Sequence, residues 1–337
     1  MFKIDNSNGP DLDPMFIDLF THKVSDKIFE AINANANLDL DLDLDMEEQQ
    51  YLDLIKDILD NGTWETGRNG RTKSVFGRSM RFSLADGKIP ILTTKKTAWK
   101  TCLKELLWFI RGETDARLLQ EQGVHIWDGN SSRKFLDSRG LYDNPVGMLG
   151  PIYGRQWRNF NAPYDNQTGT ALNNSVSGID QLQQIIDQLK DPEWRFSRRL
   201  IMTAWNPCQL DEMALPPCHI MCQFNVHDGN KLSCAMYQRS VDSILGQPFN
   251  IASYSLLTHL LAKHCGLEAY EFVHFMGNVH LYENAIDAAK LQIERNPFPF
   301  PTVSIKEVRE NINDYQVEDF VLTGYQSHEA IKVAMVA

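Results

Sequence analysis

The sequence predicts a mixed α/β protein organised around one cysteine-bearing strand. Three observations carry this. Apolar residues recur at three- and four-residue spacing in Tyr51, Leu52, Leu54, Ile55, Ile58 and Leu59, and again in Cys102, Leu103, Leu106, Leu107 and Ile110, which marks amphipathic helices. Ile220, Cys222, Phe224 and Val226 alternate at period two, the mark of a half-buried strand. His227-Asp-Gly-Asn230 follows that run and is a hairpin signal.

Composition bounds the rest. The 337 residues are 43% hydrophobic and 23% charged, which are globular values. A net charge of -11 disfavours wholesale nucleic-acid binding, so no DNA partner is expected. Cys102, Cys208, Cys218, Cys222, Cys234 and Cys265 show no paired spacing, which favours reduced thiols and a cytoplasmic location. No apolar run approaches the ~20 residues of a membrane span, and Met1-Phe-Lys-Ile-Asp-Asn-Ser lacks a signal-peptide core. No membrane partner is expected.

Residues 1–46 read as an N-terminal extension. Phe16 to Phe29 carries a short amphipathic pattern, and Asn33 to Asp45 is an acidic low-complexity run. Its alternation imitates a strand, but repelling carboxylates on one face favour a solvated linker. The main body takes up 47–337. Its first helix stops at Asn61-Gly62, and Gly67-Arg-Asn-Gly-Arg-Thr-Lys73 follows as a glycine-punctuated basic loop, either a solvated turn or a phosphate wrap. Ser74-Val-Phe and Met80 to Leu84 read as two strands. Trp99 to Arg111 is a helix with Glu105 in its middle. That carboxylate is either ordinary surface charge or, flanked by Trp108 and Phe109, desolvated with a raised pKa suited to proton transfer.

Val124 to Asp128 reads as a short strand and Leu149 to Trp157 as a glycine-broken aromatic segment suited to a flat ligand. Asn159 to Gly178 reads as a surface loop and Ile179 to Leu189 as a helix. Arg198-Arg199 precede a buried strand, Leu200 to Trp205. Adjacent strand residues face opposite sides, so both arginines serve one site only from a preceding loop or a subunit boundary; surface charge is the plainer reading.

Pro217 cannot donate to a ladder and so marks a strand's start, which puts Cys218 at the strand mouth. There it is either a small buried hydrophobe or a nucleophile. The hairpin bears on the choice. A two-residue Asp228-Gly229 turn places Arg239 directly across from Cys218; a three-residue turn through Asn230, or a bulge, shifts the partner by about one. Either way a guanidinium lies near the thiol and favours the thiolate, which points to a nucleophile. Asn250 precedes a long apolar helix, Ile251 to Cys265, and is either its cap or a ligand contact. His280 and Tyr282 share one face of a short extended segment, Pro297 to Pro301 is a connector, and the end from Tyr325 frays or docks. The histidines lack metal-ligand spacing, and no dinucleotide or Walker glycine motif occurs, so neither metal nor nicotinamide is expected.

Taken together, Glu105-Leu-Leu-Trp-Phe109, Ile126-Trp-Asp128, Leu149 to Trp157, Ser197-Arg-Arg199, Ala204-Trp-Asn206, Met213 to His219, Tyr237-Gln-Arg-Ser240, Pro248 to Tyr254 and His280-Leu-Tyr282 resemble thymidylate synthase, in the family's order and over roughly residues 47–337. The resemblance implies a three-layer α/β fold with a large mixed sheet packed sheet to sheet in a homodimer. It implies that Cys218 adds to C6 of dUMP, with Glu105, Tyr153, His219, Arg239, Asn250 and Asp242 in the catalytic set. Arg239 and Arg68 would hold the 5′-phosphate, with Arg71 a rival to Arg68, and Arg198 and Arg199 would come from the neighbouring subunit. Gln238, Ser240, Asp242 and Asn250 would line the nucleotide, and His280 and Tyr282 its ribose. Lys95, Ile126, Trp127, Asp242, Leu245, Gly246, Phe249 and Val336 would face 5,10-methylenetetrahydrofolate, the co-substrate. An amide at Asn250 matches uracil's acceptor and donor edge and disfavours cytosine.

Met148, Asn278, Ala285, Ser327, Glu329 and the Val336-Ala337 ending depart from the family pattern, mostly on the folate side and the closing tail. That asymmetry leaves a dUMP hydroxymethylase as the alternative, in which water rather than hydride traps the methylene. A non-catalytic nucleotide- or RNA-binding protein is the third reading, opposed by the intact Cys218, Arg239, Glu105 and Asn250.

Overall fold

The computed structural model describes residues 47–67, 69–170 and 178–335. The helix and linker expected within 1–46 lie outside the described residues, as do Arg68 and Val336. The elements are α1 (Gln49–Asn61), β1 (Thr63–Gly67), β2 (Gly70–Ser83), α2 (Trp99–Ile110), α3 (Tyr153–Asn159), α4 (Gln181–Lys190), β3 (Ile201–Thr203), β4 (His219–His227), β5 (Lys231–Asp242), α5 (Gly246–Cys265), β6 (Glu268–Tyr282), α6 (Ile286–Ile293), β7 (Thr302–Ile305) and β8 (Phe320–Thr323), with short helical turns between 117 and 138.

Six strands form one mixed sheet in the order β1-β2-β6-β5-β4-β3. Only β5 and β6 run parallel, joined by α5 as the crossover helix that a parallel pair requires. One side of α5 packs on β5 and β6 and the other on α2 and α4, which gives the expected three layers. Every residue from Ile251 to Ala262 is buried, so this helix has no solvent stripe. The opposite sheet face carries exposed Phe275 and Tyr237, paired across β5 and β6.

Local expectations shift in several places. The basic loop is the tip of a hairpin in which Gly67 pairs with Gly70, and the two strands after it are one, β2. Val124 to Asp128 is no strand: with no neighbouring ladder to join, it forms turns that bury Val124 and Trp127, and Val124 N–H bonds Leu119 O at 2.9 Å. Gly154 lies inside α3, not against a ligand. A Cβ there would sit 2.3 Å from Phe109 O, so the glycine lets α3 close on α2. The expected buried strand at 200–205 is the three-residue edge strand β3, with Ile201 43% exposed. Residues 277–282 are the end of the 15-residue β6.

The long helix starts at Gly246 rather than Ile251. Pro248 falls in its first turn, where a missing N–H costs nothing. Asn250 is therefore not its cap. Asp242 tightens the approach to the helix instead, accepting from Ile244 N and Leu245 N at 3.0 Å each.

Candidate active site

The hairpin β4–β5 puts Cys218 opposite Arg239 by two offsets that cancel. The turn has three residues, Asp228 to Asn230, so His227 pairs with Lys231. Asp228 and Gly229 take positive φ of 45° and 86° to make it. A bulge between His219 and Met221 then shifts the register back, and Arg239 N–H donates to Cys218 O at 2.9 Å. The Arg239 guanidinium donates to Pro217 O at 2.8 Å and Pro216 O at 3.0 Å and lies 5.3 Å from the Trp205 ring centroid. Cys218 itself is half-buried at the strand mouth. Burial raises its thiol pKa, while Arg239 and a hydrogen bond with Tyr153 pull it down. The expected cation effect is present, but burial outweighs it and the resting group is the thiol.

Tyr153, the first residue of α3, accepts the Cys218 N–H at 2.8 Å. Its ring stacks on His219 at 4.2 Å, and His219 Nδ1 meets Tyr254 Oη at 2.8 Å. Burial, aided by the buried His274, takes the His219 pKa down to about 3, so it is a neutral imidazole that fixes Tyr153. Buried tyrosine hydroxyls stay protonated, and Tyr153 lies within the field of both Cys218 and Glu105.

Glu105 fulfils the desolvated reading. Burial raises its pKa to about 7 against a hydrogen bond that lowers it. That donor is Trp127 Nε1, 2.7 Å from Oε1, rather than the adjacent Trp108 or Phe109. Trp127 stands edge-on to Tyr153 at 6.1 Å, which brings α2, the 124–127 turn and α3 together at one point.

Asn250 is held from below. Gln238 Nε2 donates to Asn250 Oδ1 at 2.9 Å and to Ser240 O at 3.0 Å. Gln238 Oε1 in turn accepts from His274 Nε2 at 3.0 Å. Burial lowers the His274 pKa to about 3, so this histidine is neutral, with its proton on Nε2. The chain His274, Gln238, Asn250 fixes which end of the Asn250 amide donates. His274 escaped the sequence reading. Its signal was a histidine on the inward, period-two face of β6, between Phe272 and Met276, where a polar group must find a partner.

Asp242 pairs in register with His280 across the parallel β5–β6 ladder. His280 Nδ1 meets Asn278 Oδ1 at 2.8 Å, so the amide here does the orienting, and the His280 and Tyr282 rings stand perpendicular at 5.2 Å. Burial lowers the His280 pKa and Asp242 opposes it. Lys95 donates to Ile244 O; burial lowers its pKa to about 8, again opposed by Asp242. A groove of about 240 Å³ is lined by Gly67, Asn69, Gly70, Thr72, Asn278, His280 and Tyr282. Ile126, Leu245 and Phe249 are partly buried against the core, and Gly246 lies beside Asn250 and Asp242.

The expected phosphate arginines divide. Arg71 is engaged elsewhere, 2.8 Å from Glu283 and 4.3 Å over the Trp64 ring. Arg198 and Arg199 occupy an exposed turn before β3, the preceding-loop position that lets both face one way, and neither guanidinium bonds a described residue. The tail docks: Tyr325 Oη donates to Leu92 O at 2.9 Å and accepts from Thr97 N at 2.9 Å, and His328 N donates to Thr93 O at 2.7 Å. Glu329 O accepts from Arg295 Nη1 at 2.8 Å. His328 adds a side-chain bond from its Nε2 to Asn296 O at 2.8 Å, and residue 329 is held through its main-chain carbonyl, so departures in side chain at 327 and 329 leave these contacts in place. Among the described residues, no helix is long and apolar enough to cross a membrane.

Comparison with known proteins agrees with this geometry. The bifunctional dihydrofolate reductase-thymidylate synthase of Leishmania major is 51% identical over 292 residues, covering 86% of this chain and 55% of that protein. The thymidylate synthase of Saccharomyces cerevisiae is 50% identical over 303 residues, covering 86% of this chain and 97% of that one. The probable thymidylate synthase of Schizosaccharomyces pombe is 51% identical over 301 residues, covering 86% and 47%. The chain thus spans about half the length of the Leishmania and fission-yeast relatives. The family profile described as thymidylate synthase matches residues 49–337, which contain every described residue of the site, and the chain belongs to the thymidylate synthase family.

Proposed function

We propose that this protein converts dUMP to dTMP, taking both the one-carbon unit and the hydride from 5,10-methylenetetrahydrofolate and releasing dihydrofolate. One observation carries the reading: a cysteine at a strand mouth, paired with an arginine and bonded to a tyrosine that also feels a buried carboxyl, whose pKa burial raises to about 7.

Uracil C5 is not nucleophilic. Addition of the Cys218 sulfur at C6 makes C5 an enolate carbon, so one hard step becomes two easier ones. Arg239 holds the 5′-phosphate and supports the thiolate as the thiol proton leaves, with Arg68 and the partner subunit's Arg198 and Arg199 on the same phosphate. Asn250, oriented by Gln238, reads O4 and N3–H. Glu105, half-ionised near pH 7, accepts and returns protons at O4, and Tyr153 assists removal of the C5 proton. His280 and Tyr282 take the ribose, with Ser240 and Asp242 beside it. Lys95, Ile126, Trp127, Leu245, Gly246, Phe249 and Val336 face the folate, and the docked tail keeps water from the methylene until hydride arrives.

The exposed Phe275 and Tyr237 on the uncovered sheet face support a homodimer through that face. A catalytic body at 47–337, an appended segment at 1–46 and a cytoplasmic location complete the proposal. The test is to incubate the pure protein with dUMP and methylenetetrahydrofolate and weigh the nucleotide. We expect dTMP with one dihydrofolate each; a hydroxymethyl product without dihydrofolate would refute the reading. Cys218→Ser is expected to abolish tritium release from 5-tritiated dUMP, and unchanged release would refute the covalent step.

A further inference from the structure

We propose that Glu48 is a positioning residue for the folate half of this reaction, aiming the Thr93-Thr94 peptide so that it docks the C-terminal tail; this rests on the synthase reading above. Glu48 precedes α1, far in sequence from the site, and is 1% exposed. Its carboxylate takes four hydrogen bonds from two residues. Oε2 accepts Thr93 N at 2.8 Å and Thr93 Oγ1 at 2.6 Å; Oε1 accepts Thr94 N at 2.8 Å and Thr94 Oγ1 at 2.6 Å. These four donors fill all four acceptor positions of the carboxylate. A buried carboxyl group held by hydrogen bonds keeps its place only while those donors stay aligned.

The far side of the same group meets the tail. Thr94 N–H and Thr93 C=O belong to one planar peptide unit, in which the two bonds point opposite ways. Glu48 grips the N–H, and the C=O accepts from His328 N at 2.7 Å. Fixing one end of this plane aims the other, and a negative charge on the N–H strengthens the carbonyl as an acceptor. The next carbonyl, Thr94 O, accepts from Arg295 Nη1 at 2.7 Å, and that nitrogen also holds Glu329 O. One residue further, Lys95 reaches Ile244 O beside Asp242. Gln292 Nε2 closes the set on Thr94 Oγ1 at 2.9 Å. A single carboxylate thus ties the first turn of the body to the tail and to the folate-side lysine.

Glu48→Gln exchanges one acceptor oxygen for a donor amide facing two donors. We expect dUMP binding, measured without folate, to stay within about two-fold. We expect the KM for methylenetetrahydrofolate to rise roughly ten-fold, as when buried donors lose a charged acceptor. Tritium release should then exceed dihydrofolate formation, and carboxypeptidase should trim the tail faster. Folate KM, coupling and trimming all at wild-type values would overturn the proposal, as would a loss of dUMP binding equal to that of folate, the sign of general damage. Should Glu48→Gln not fold, His328→Pro, which removes the tail N–H together with the His328 side chain that bonds Asn296 O at 2.8 Å, is compared with His328→Ala, which removes the side chain alone; the folate-specific pattern must be stronger in the proline variant, and equal behaviour of the two overturns the proposal too. If the wild type makes no dTMP, the synthase reading fails instead, and tail trimming alone still tests Glu48.

Discussion

Trp127→Phe isolates the one hydrogen bond that keeps Glu105 partly ionised. Burial holds this carboxyl near 7, well above its ordinary 4.5, and Trp127 Nε1 at 2.7 Å opposes that rise. Phenylalanine keeps an aromatic ring beside Trp108 and Tyr153 and removes only the N–H. A hydrogen bond to a charged group is worth about 1.5–3 kcal/mol. One pKa unit is about 1.4 kcal/mol, so the Glu105 midpoint should climb by about 1–2 units. The measurement is a pH titration of the carbon-13 carboxyl resonance in ligand-free protein, with Glu105→Gln identifying the signal. Freedom from folate matters, because Trp127 also stands on the proposed folate wall. A wild-type midpoint near 4.5, or a variant midpoint that does not move up, would refute the electrostatic account of this site.

Three further outcomes follow from the same structure. Because the folded midpoint of Glu105 lies above the unfolded one, its stabilising contribution is whole below pH 4.5 and lost as pH rises through 7. Glu105→Gln should therefore gain denaturant resistance over wild type across that window, by at most about 3 kcal/mol, and parallel pH–stability curves would contradict this. Gly154→Ala drives a Cβ to 2.3 Å from Phe109 O and 2.6 Å from its Cα, both main chain; a stability loss of about 2–3 kcal/mol in urea is expected, and wild-type stability would contradict the close approach of α3 to α2. Phe275→Glu places a charge on the uncovered sheet face, where Phe275 is 46% exposed; sedimentation velocity should show a monomer, and an unchanged sedimentation coefficient would speak against pairing through this face.

Elements with a strong period were legible. The faces of α1 and α2 and the β4–β5 hairpin stand where the local pattern puts them, and of the two readings left open for Glu105 the desolvated one holds. Contacts set by tertiary approach were not. Val124 to Trp127 has strand-like residues, but only a neighbouring strand makes a strand, and among the described residues none pairs there. Gly154 read as room for a ligand because sequence does not say whose backbone comes close; it is Phe109's. Asn250 read as either a cap or a ligand contact because the apolar run begins at Ile251, whereas a proline in a first turn permits the helix to begin earlier, at Gly246. The pairing of Cys218 with Arg239 was legible for an incomplete reason. Turn length added one residue and the bulge removed it, and neither offset is visible in the alternating pattern alone. The role of His274 needed the third dimension, since Gln238 lies on a different strand.

The all-round burial of α5 has a consequence for how the site opens. Its amides have no solvent side, so they should exchange with water only when the whole body unfolds, while the tail at 325–335 sits on the surface, held by a few bonds. Asn250 rides on the first element and the folate-side closure on the second. On the proposed reading the uracil contact is thus anchored on the slowly opening helix, while the tail that closes over the folate is held only by surface bonds. Loosening of the tail can then admit and release the folate without loosening α5, and binding of nucleotide before folate is the order this predicts.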